Sequence, residues 1–188
     1  MKKATILLLI IICNYSFGQN NLTDSELKSG IYLTYESLFK NNPLEFENLI
    51  VKKEKAEKNW QKKETYILGY KLKMSNEESD KLGTIIGFSD GENVYLTLSR
   101  DFYNNAALFY KVDFIGRFLY YEGTYRNLNS GLSNTTNVVD LKTQTIYQNF
   151  TNGNLKKILS DKPELLTRFK KEKKKYTHYR KYLAEYSE

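Results

Sequence analysis

The side chains able to do chemistry are few, and their spacing fits no catalytic motif. The chain holds one histidine, His178, and one cysteine, Cys13. A zinc site built on two histidines, or a triad whose histidine has a second orienting base, therefore has no material to form from. His178 falls on the polar side of a C-terminal helical stretch, where a solvated surface role is expected. Glu77, Glu78 and Asp80 crowd into residues 75–80, and alternating carboxylates can bind calcium. The spacing and distal glutamate of an EF-hand are missing, so a solvated turn is the preferred reading. Serines and threonines are plentiful, yet neither a Gly-x-Ser-x-Gly elbow nor a Ser-x-x-Lys nucleophile stands out. A glycosidase needs two carboxylates facing each other across a cleft, a distance that sequence alone does not fix. The expectation is no catalytic residue, no metal and no cofactor.

Two features of composition are left as candidate contact surfaces. Lys170, Lys171, Lys173, Lys174 and Lys175 interrupt their run only with Glu172. Together with Arg168, Arg180 and Lys181 they suit an anionic lipid, lipopolysaccharide or another polyanion. The competing explanation is that they are the wet side of an amphipathic helix. The second feature is tyrosine, 16 in all. Tyr95, Tyr120, Tyr121 and Tyr125 lie on or beside expected strands and form a candidate aromatic contact face, because a ring that is apolar with a hydrogen-bonding tip suits protein or sugar. Cross-strand pairing and burial under the terminal helices would use the same residues. Nucleic acid is a poor match, since no recognition motif is present and the chain reads as exported.

The elements that must position these residues begin after a leader. Lys2 and Lys3 precede a nine-residue, largely apolar run from Ala4 to Ile12, too short to cross a ~30 Å hydrocarbon core as a helix. Ser16 and Gly18 are small residues at the −3 and −1 positions, so residues 1–18 read as a signal peptide with cleavage between Gly18 and Gln19. Lipidation of Cys13 is disfavoured because Ile12 precedes it, where a lipidated cysteine normally follows Gly, Ala or Ser. A chain starting at Gln19 then holds no cysteine, and no disulfide framework supports it. It is periplasmic or extracellular. Residues 19–188 form one domain, carrying 27 basic and 22 acidic side chains once the two leader lysines are gone.

Most aromatics lie within residues 66–150, where short apolar runs alternate with turn signals, the pattern of a β-meander of about six strands. Val94, Leu96 and Leu98 should share a core face, with Tyr95 and Thr97 on a partly wet one. Leu108, Tyr110, Val112 and Phe114 alternate in the same way, and Gly116 marks a turn. Asp90-Gly91 between two such runs predicts a hairpin with positive φ at both central residues. A second hairpin is expected across residues 142–144. Thr34 caps a short helix that stops before Pro43. Residues 161–164 read as a capping box with Pro163 in the first turn of a long helix, whose stripe is Phe169, Tyr176 and Leu183. Residues 44–63 fit a strand, a helix or a loop equally well.

Four strings, Gly30-Ile31-Tyr32-Leu33-Thr34-Tyr35-Glu36, Gly87-Phe88-Ser89-Asp90-Gly91 with Val94-Tyr95, Val139-Asp140-Leu141-Lys142-Thr143, and residues 155–166, together resemble a family of uncharacterised secreted proteins from Bacteroidota. That resemblance implies a secreted or envelope location and transfers no functional residues. The expected architecture is α+β: an antiparallel β-meander sheet or partial barrel with a short N-terminal helix and a long C-terminal helix. The expected function is non-enzymatic binding at the cell envelope, to an envelope protein, a glycan or an anionic lipid surface. The alternatives are a carboxylate-dependent hydrolase of envelope glycan or peptide, and a carrier of a small apolar ligand.

Overall fold

The structure, a computed structural model, describes residues 27–46, 49–59, 64–98, 108–127 and 131–188, with side chains described except at 56–59, 64–66, 125–127 and 131–133. The leader and its cleavage site, Gly18 and Gln19, lie outside the described residues. The elements run β1 (Gly30–Tyr32), α1 (Tyr35–Phe39), β2 (Ile50–Asn59), β3 (Glu64–Lys73), α2 (Asn76–Leu82), β4 (Gly87–Ser89), β5 (Val94–Thr97), β6 (Phe109–Lys111), β7 (Asp113–Ile115), β8 (Phe118–Asn127), β9 (Gly131–Asp140), β10 (Thr145–Tyr147), α3 (Asn152–Ile158), α4 (Pro163–Lys171) and α5 (Tyr179–Ser187). The α+β class with antiparallel sheets is as the sequence implies. The strands, ten among the described residues rather than about six, form two sheets, ordered β1-β4-β5-β6-β3-β2 and β10-β9-β8-β7. The second is a pure meander. The chain passes from one sheet to the other at Val112, whose N–H donates to Val94 O at 2.9 Å.

Local chemistry accounts for the elements. Thr34 caps α1 with a reciprocal capping box to Ser37. The loop between β4 and β5 differs from the expected two-residue turn: Ser89 pairs with Val94, only Gly91 has a positive φ (+93°), and Asp90 accepts from the N–H groups of Glu92 and Asn93 at 3.0 and 2.6 Å. The aspartate carboxylate closes this turn, so its own backbone need not enter the left-handed region. Asp140 does the same between β9 and β10, accepting from Lys142 and Thr143. Residues 50–59, ambiguous in sequence, form the edge strand β2.

Three cores hold the layers together. One joins the two sheets and contains Val94, Leu96, Tyr110, Leu119, Tyr121 and Val139. Gly123 on β8 sits at this joint, where an added Cβ would fall 2.9 Å from both Leu98 Cδ1 and the Tyr110 ring. A second core covers the far side of the six-stranded sheet with Ile31, Phe88, Tyr95 and Phe109. Tyr95 and Thr97, expected on a partly wet face, are therefore 6% and 0% exposed; β5 is central and covered on both sides. The third core packs Phe118, Tyr120 and Val138 against Leu155, Phe169, Tyr179, Tyr182 and Leu183.

The C-terminal helical segment is two nine-residue helices, α4 and α5, rather than one continuous helix. Residues 170–175 offer no apolar side chain to bury. The chain leaves the helix at Glu172 (ψ 140°), turns at Lys174 in the left-handed region (φ 48°, ψ 51°) and re-enters through a 3-10 turn at Lys175–His178. The break lets Phe169 and Tyr182, both fully buried, meet edge-on at 5.2 Å. It also takes Tyr176 off the expected stripe and leaves it 64% exposed. Asp161 does not cap α4. Pro163 is in its first turn, but the cap position is Lys162 without a side-chain bond, and Asp161 accepts from Tyr186 Oη at 2.8 Å.

Candidate functional site

The meander presents one face to the C-terminal helices, and that face changes character along β8. Residues opposite one another in an antiparallel ladder share a face. Ile115, Phe118 and Asp140 form one row and Asp113, Tyr120 and Val138 the next, followed by Glu122 with Thr136 and then Thr124 with Asn134. Phe118, Tyr120 and Val138 lie in the core beneath α3, α4 and α5. Beyond Tyr120 the helices no longer cover the sheet. The uncovered rows form the floor of an open groove of about 800 Å³.

Its walls come from two turns. Tyr176, Thr177, Tyr179 and Arg180, from the 3-10 turn and the first residues of α5, stand on one side. Asn149 and Phe150, which follow β10, stand on the other. Asn149 holds a left-handed backbone (φ 50°); its N–H donates to Asn137 Oδ1 at 3.1 Å and its Oδ1 accepts from Thr135 Oγ1 at 2.8 Å. The Phe150 ring meets Tyr179 edge-on at 5.0 Å, and Tyr179 Oη donates to Asn152 Oδ1 at 3.0 Å. Asn149, Phe150 and Tyr179 are thus each held by contacts within the protein.

Three of the four charged side chains in the groove, Arg180, Asp113 and Glu122, arrive with partners. Arg180 Nη1 lies 2.7 Å from Asp113 Oδ2, and its guanidinium carbon lies 5.7 Å from the centre of the Tyr120 ring. Tyr120 Oη donates to Glu122 Oε1. Burial first, and then the Glu122 carboxylate that takes its hydrogen bond, push the Tyr120 phenol well above its ordinary range, so it remains a donor. A smaller recess of about 260 Å³, lined by Glu92, Asn93 and Phe114, shares Lys111, Asp113 and Arg180 with the groove.

General acid–base hydrolysis needs a carboxyl group poised to give up or take a proton at the substrate. Here Asp113 is tied to Arg180 and the exposed Glu122 to Tyr120. The groove supplies hydrogen-bonding groups and aromatic surface.

The tyrosines read from sequence do not share one exposed face. Tyr95 is buried on the far side of the six-stranded sheet, stacked on Phe88 at 4.6 Å with its hydroxyl on Asp90. Tyr121 is 2% exposed, in the core between the sheets. Tyr120 points the opposite way and its edge reaches the groove. Tyr125 belongs to β8, with its side chain outside the described residues. Successive strand residues face opposite sides, so adjacent tyrosines separate. Lys170, Lys171, Lys173 and Lys174 are exposed and enter no ion pair among the described residues, whereas Lys175 Nζ donates to Glu172 O at 2.6 Å. They mark the turn between α4 and α5, next to Tyr176. His178 is half-buried, 3.6 Å from Glu172. Glu78 is spent on the capping box of α2 and Glu77 on Lys81, and among the described residues no group of His, Cys, Asp or Glu could hold a metal. No helix among the described residues is long and apolar enough to cross a membrane.

Lys111, Glu122, Asn134, Thr136, Asn149 and Tyr176 escaped the sequence reading. The signal was present in β8, where Phe118, Tyr120, Glu122 and Thr124 share a face that turns from apolar to polar. No family model, no curated protein and no solved structure matches the chain.

Proposed function

We propose that this chain is an exported, non-enzymatic binding domain of the cell envelope, taking its ligand in the groove between the meander and the 3-10 turn that opens α5. The observation that carries this reading is the uncovered end of the β7–β9 face, a polar groove with fixed aromatic walls and carboxylates already partnered. Such preorganisation favours binding because little side-chain entropy is lost when a ligand arrives. The leader anatomy supports export, and export brings the groove to envelope material. The unpaired lysines beside Tyr176 add a positive field that raises the encounter rate with the anionic surfaces on which such material sits.

The test is capture of envelope fractions by the purified protein at low salt and at ~0.5 M salt, where contacts between exposed charges are screened. Retention at high salt is expected, with loss on Thr136→Trp, which fills the groove floor at a half-buried strand position that accepts aromatics. Capture that disappears with salt and ignores Thr136→Trp would move the function to the lysine turn. No capture under either condition would overturn the binding reading.

A further inference from the structure

Resting on that groove, we infer that its ligand is a neutral oligosaccharide, seated along the floor with one ring stacked on Tyr176. Charge narrows the choice first. The charged residues lining the groove are Lys111 and Arg180 against Asp113 and Glu122, a balance of zero. A polyanion drawn by the lysine turn would find no net positive charge inside the groove to hold it.

Hydrogen-bonding capacity narrows it again. Asn134 Oδ1 accepts from Thr124 Oγ1 at 3.0 Å and Asn149 Oδ1 accepts from Thr135 Oγ1 at 2.8 Å. Each amide is thereby oriented, and its NH2 has no protein acceptor among the described residues. The carboxylates of Asp113 and Glu122 keep lone pairs beyond the one each already uses, and the Thr177 hydroxyl, which donates to Lys174 O at 2.9 Å, keeps lone pairs to accept with. Oriented donors and acceptors therefore interleave along one trough. A sugar presents the same mixture, since every hydroxyl both gives and takes a hydrogen bond. An apolar ligand would leave these groups desolvated and unmet. A peptide recognised by strand addition would be held by main-chain hydrogen bonds along a strand edge, whereas the polar side chains of this floor stand on the face of the β8–β9 ribbon.

The aromatic surface completes the match. Tyr176 is 64% exposed at the rim, the most exposed of the large hydrophobic side chains among the described residues. Nothing in the fold requires an exposed ring at this position. A flat ring with a polar tip stacks on the C–H face of a pyranose while its hydroxyl stays wet.

The experiment is calorimetric titration of the purified protein with cellohexaose, chitohexaose, maltohexaose and xylohexaose, alongside heparin and a polyglutamate peptide, at 0.15 and ~0.5 M NaCl. At least one neutral probe should bind with Kd below about 1 mM, unchanged between the two salts. Tyr176→Ala should weaken it about five- to tenfold, the scale of one aromatic contact, with the unfolding midpoint unchanged. Thr136→Trp should abolish it. Failure of all four neutral probes, binding indifferent to both substitutions, or binding of heparin alone that 0.5 M salt removes would each overturn the assignment. Envelope fractions treated with periodate, which cleaves vicinal diols of sugars, separate this failure from that of the groove itself. Capture that Thr136→Trp abolishes, that periodate leaves whole and that none of the four hexasaccharides competes away refutes the sugar but keeps the groove. Capture indifferent to Thr136→Trp refutes the groove.

Discussion

Two ribbons of paired ten-residue strands reach across the molecule, and only one of them makes a groove. β8 and β9 pair without interruption from Phe118 opposite Asp140 to Asn127 opposite Gly131, and their bases are covered on both faces. β2 and β3 have the same length and direction, but their register shifts between Glu54 and Lys55 and again between Glu57 and Asn59. β2 is a sheet edge, its Lys52, Lys53 and Lys55 are exposed, and Ile50 and Ile67 are each about half exposed. Bulges and lysines are what keep a bare edge from pairing with another chain. The backbone ladder is common to both. The difference lies in whether a face is covered: a face roofed along only part of its length acquires a boundary, and the groove forms at that boundary.

The comparison breaks first on core truncation. Phe118→Ala at the base of β8 removes a ring with no exposed surface and should cost about 3–5 kcal/mol in urea unfolding. Ile67→Ala on β3 should cost about 1 kcal/mol or less, because half of that side chain is already in water. Equal costs would mean that the β2–β3 ribbon is covered in solution.

Next in size is the ion pair that closes the base of β8. Arg117 Nη2 lies 2.8 Å from Asp140 Oδ2, and its guanidinium carbon lies 4.9 and 4.8 Å from the centres of the Phe118 and Tyr186 rings. Asp140 is almost wholly buried, so Arg117→Ala leaves a carboxylate without its counter-charge and should cost about 3 kcal/mol. Adding Asp140→Asn should recover part of this, since an amide oxygen still accepts from Lys142 and Thr143. A double variant no better than the single would place the loss in the ring contacts.

Alkali separates the ribbons by a different property. Burial first raises the phenols of Tyr120 and Tyr121 on β8 well above the ordinary value, and raises Tyr182, in the same core as Tyr120, to about 12. In the unfolded chain each ionises near 10. Above that pH the folded state holds more protons than the unfolded one, so stability is complete below about pH 10 and falls as pH rises toward 12. Each tyrosine kept neutral contributes a slope of about 1.4 kcal/mol per pH unit. Tyrosinate absorbance should rise together with loss of helical and strand dichroism; ionisation of these tyrosines well before unfolding would contradict their burial.

Much of this architecture was legible because local rules and burial agreed. The division of β5 and of residues 108–114 between two faces, the cap at Thr34, the turn at Gly116 and the position, though not the type, of the Asp-Gly hairpin follow the pattern. The sequence misled where tertiary contacts decide. The seven-residue recurrence of Phe169, Tyr176 and Leu183 holds only if the helix continues, and six residues without an apolar side chain give it no reason to. Tyr120 and Tyr121 look alike in sequence, yet neighbours on a strand face opposite sides, so one reaches the groove and the other packs between the sheets. β2 alternates lysine and glutamate with no apolar period, and it is a strand only because β3 holds it. The groove draws on four strands, two turns and one helix start, and no local window contains all of them.

The smallest effect is expected at the Lys71–Glu54 pair, which spans the β2–β3 ribbon at 3.3 Å with about a third of each side chain exposed. Exposed cross-strand pairs of opposite charge contribute about 0.2–1 kcal/mol, and salt screens them. Glu54 also stands at a register shift, where the ladder already departs from regular pairing and less of the ribbon depends on one contact. Glu54→Gln should therefore cost about 0.5 kcal/mol or less in 0.05 M salt and nothing measurable in ~0.5 M salt, with ligand capture by the groove unchanged. A loss above about 1 kcal/mol that survives high salt would show that this pair sets the register of β2 against β3, making the ribbon a specified element like β8–β9 and not a guarded edge.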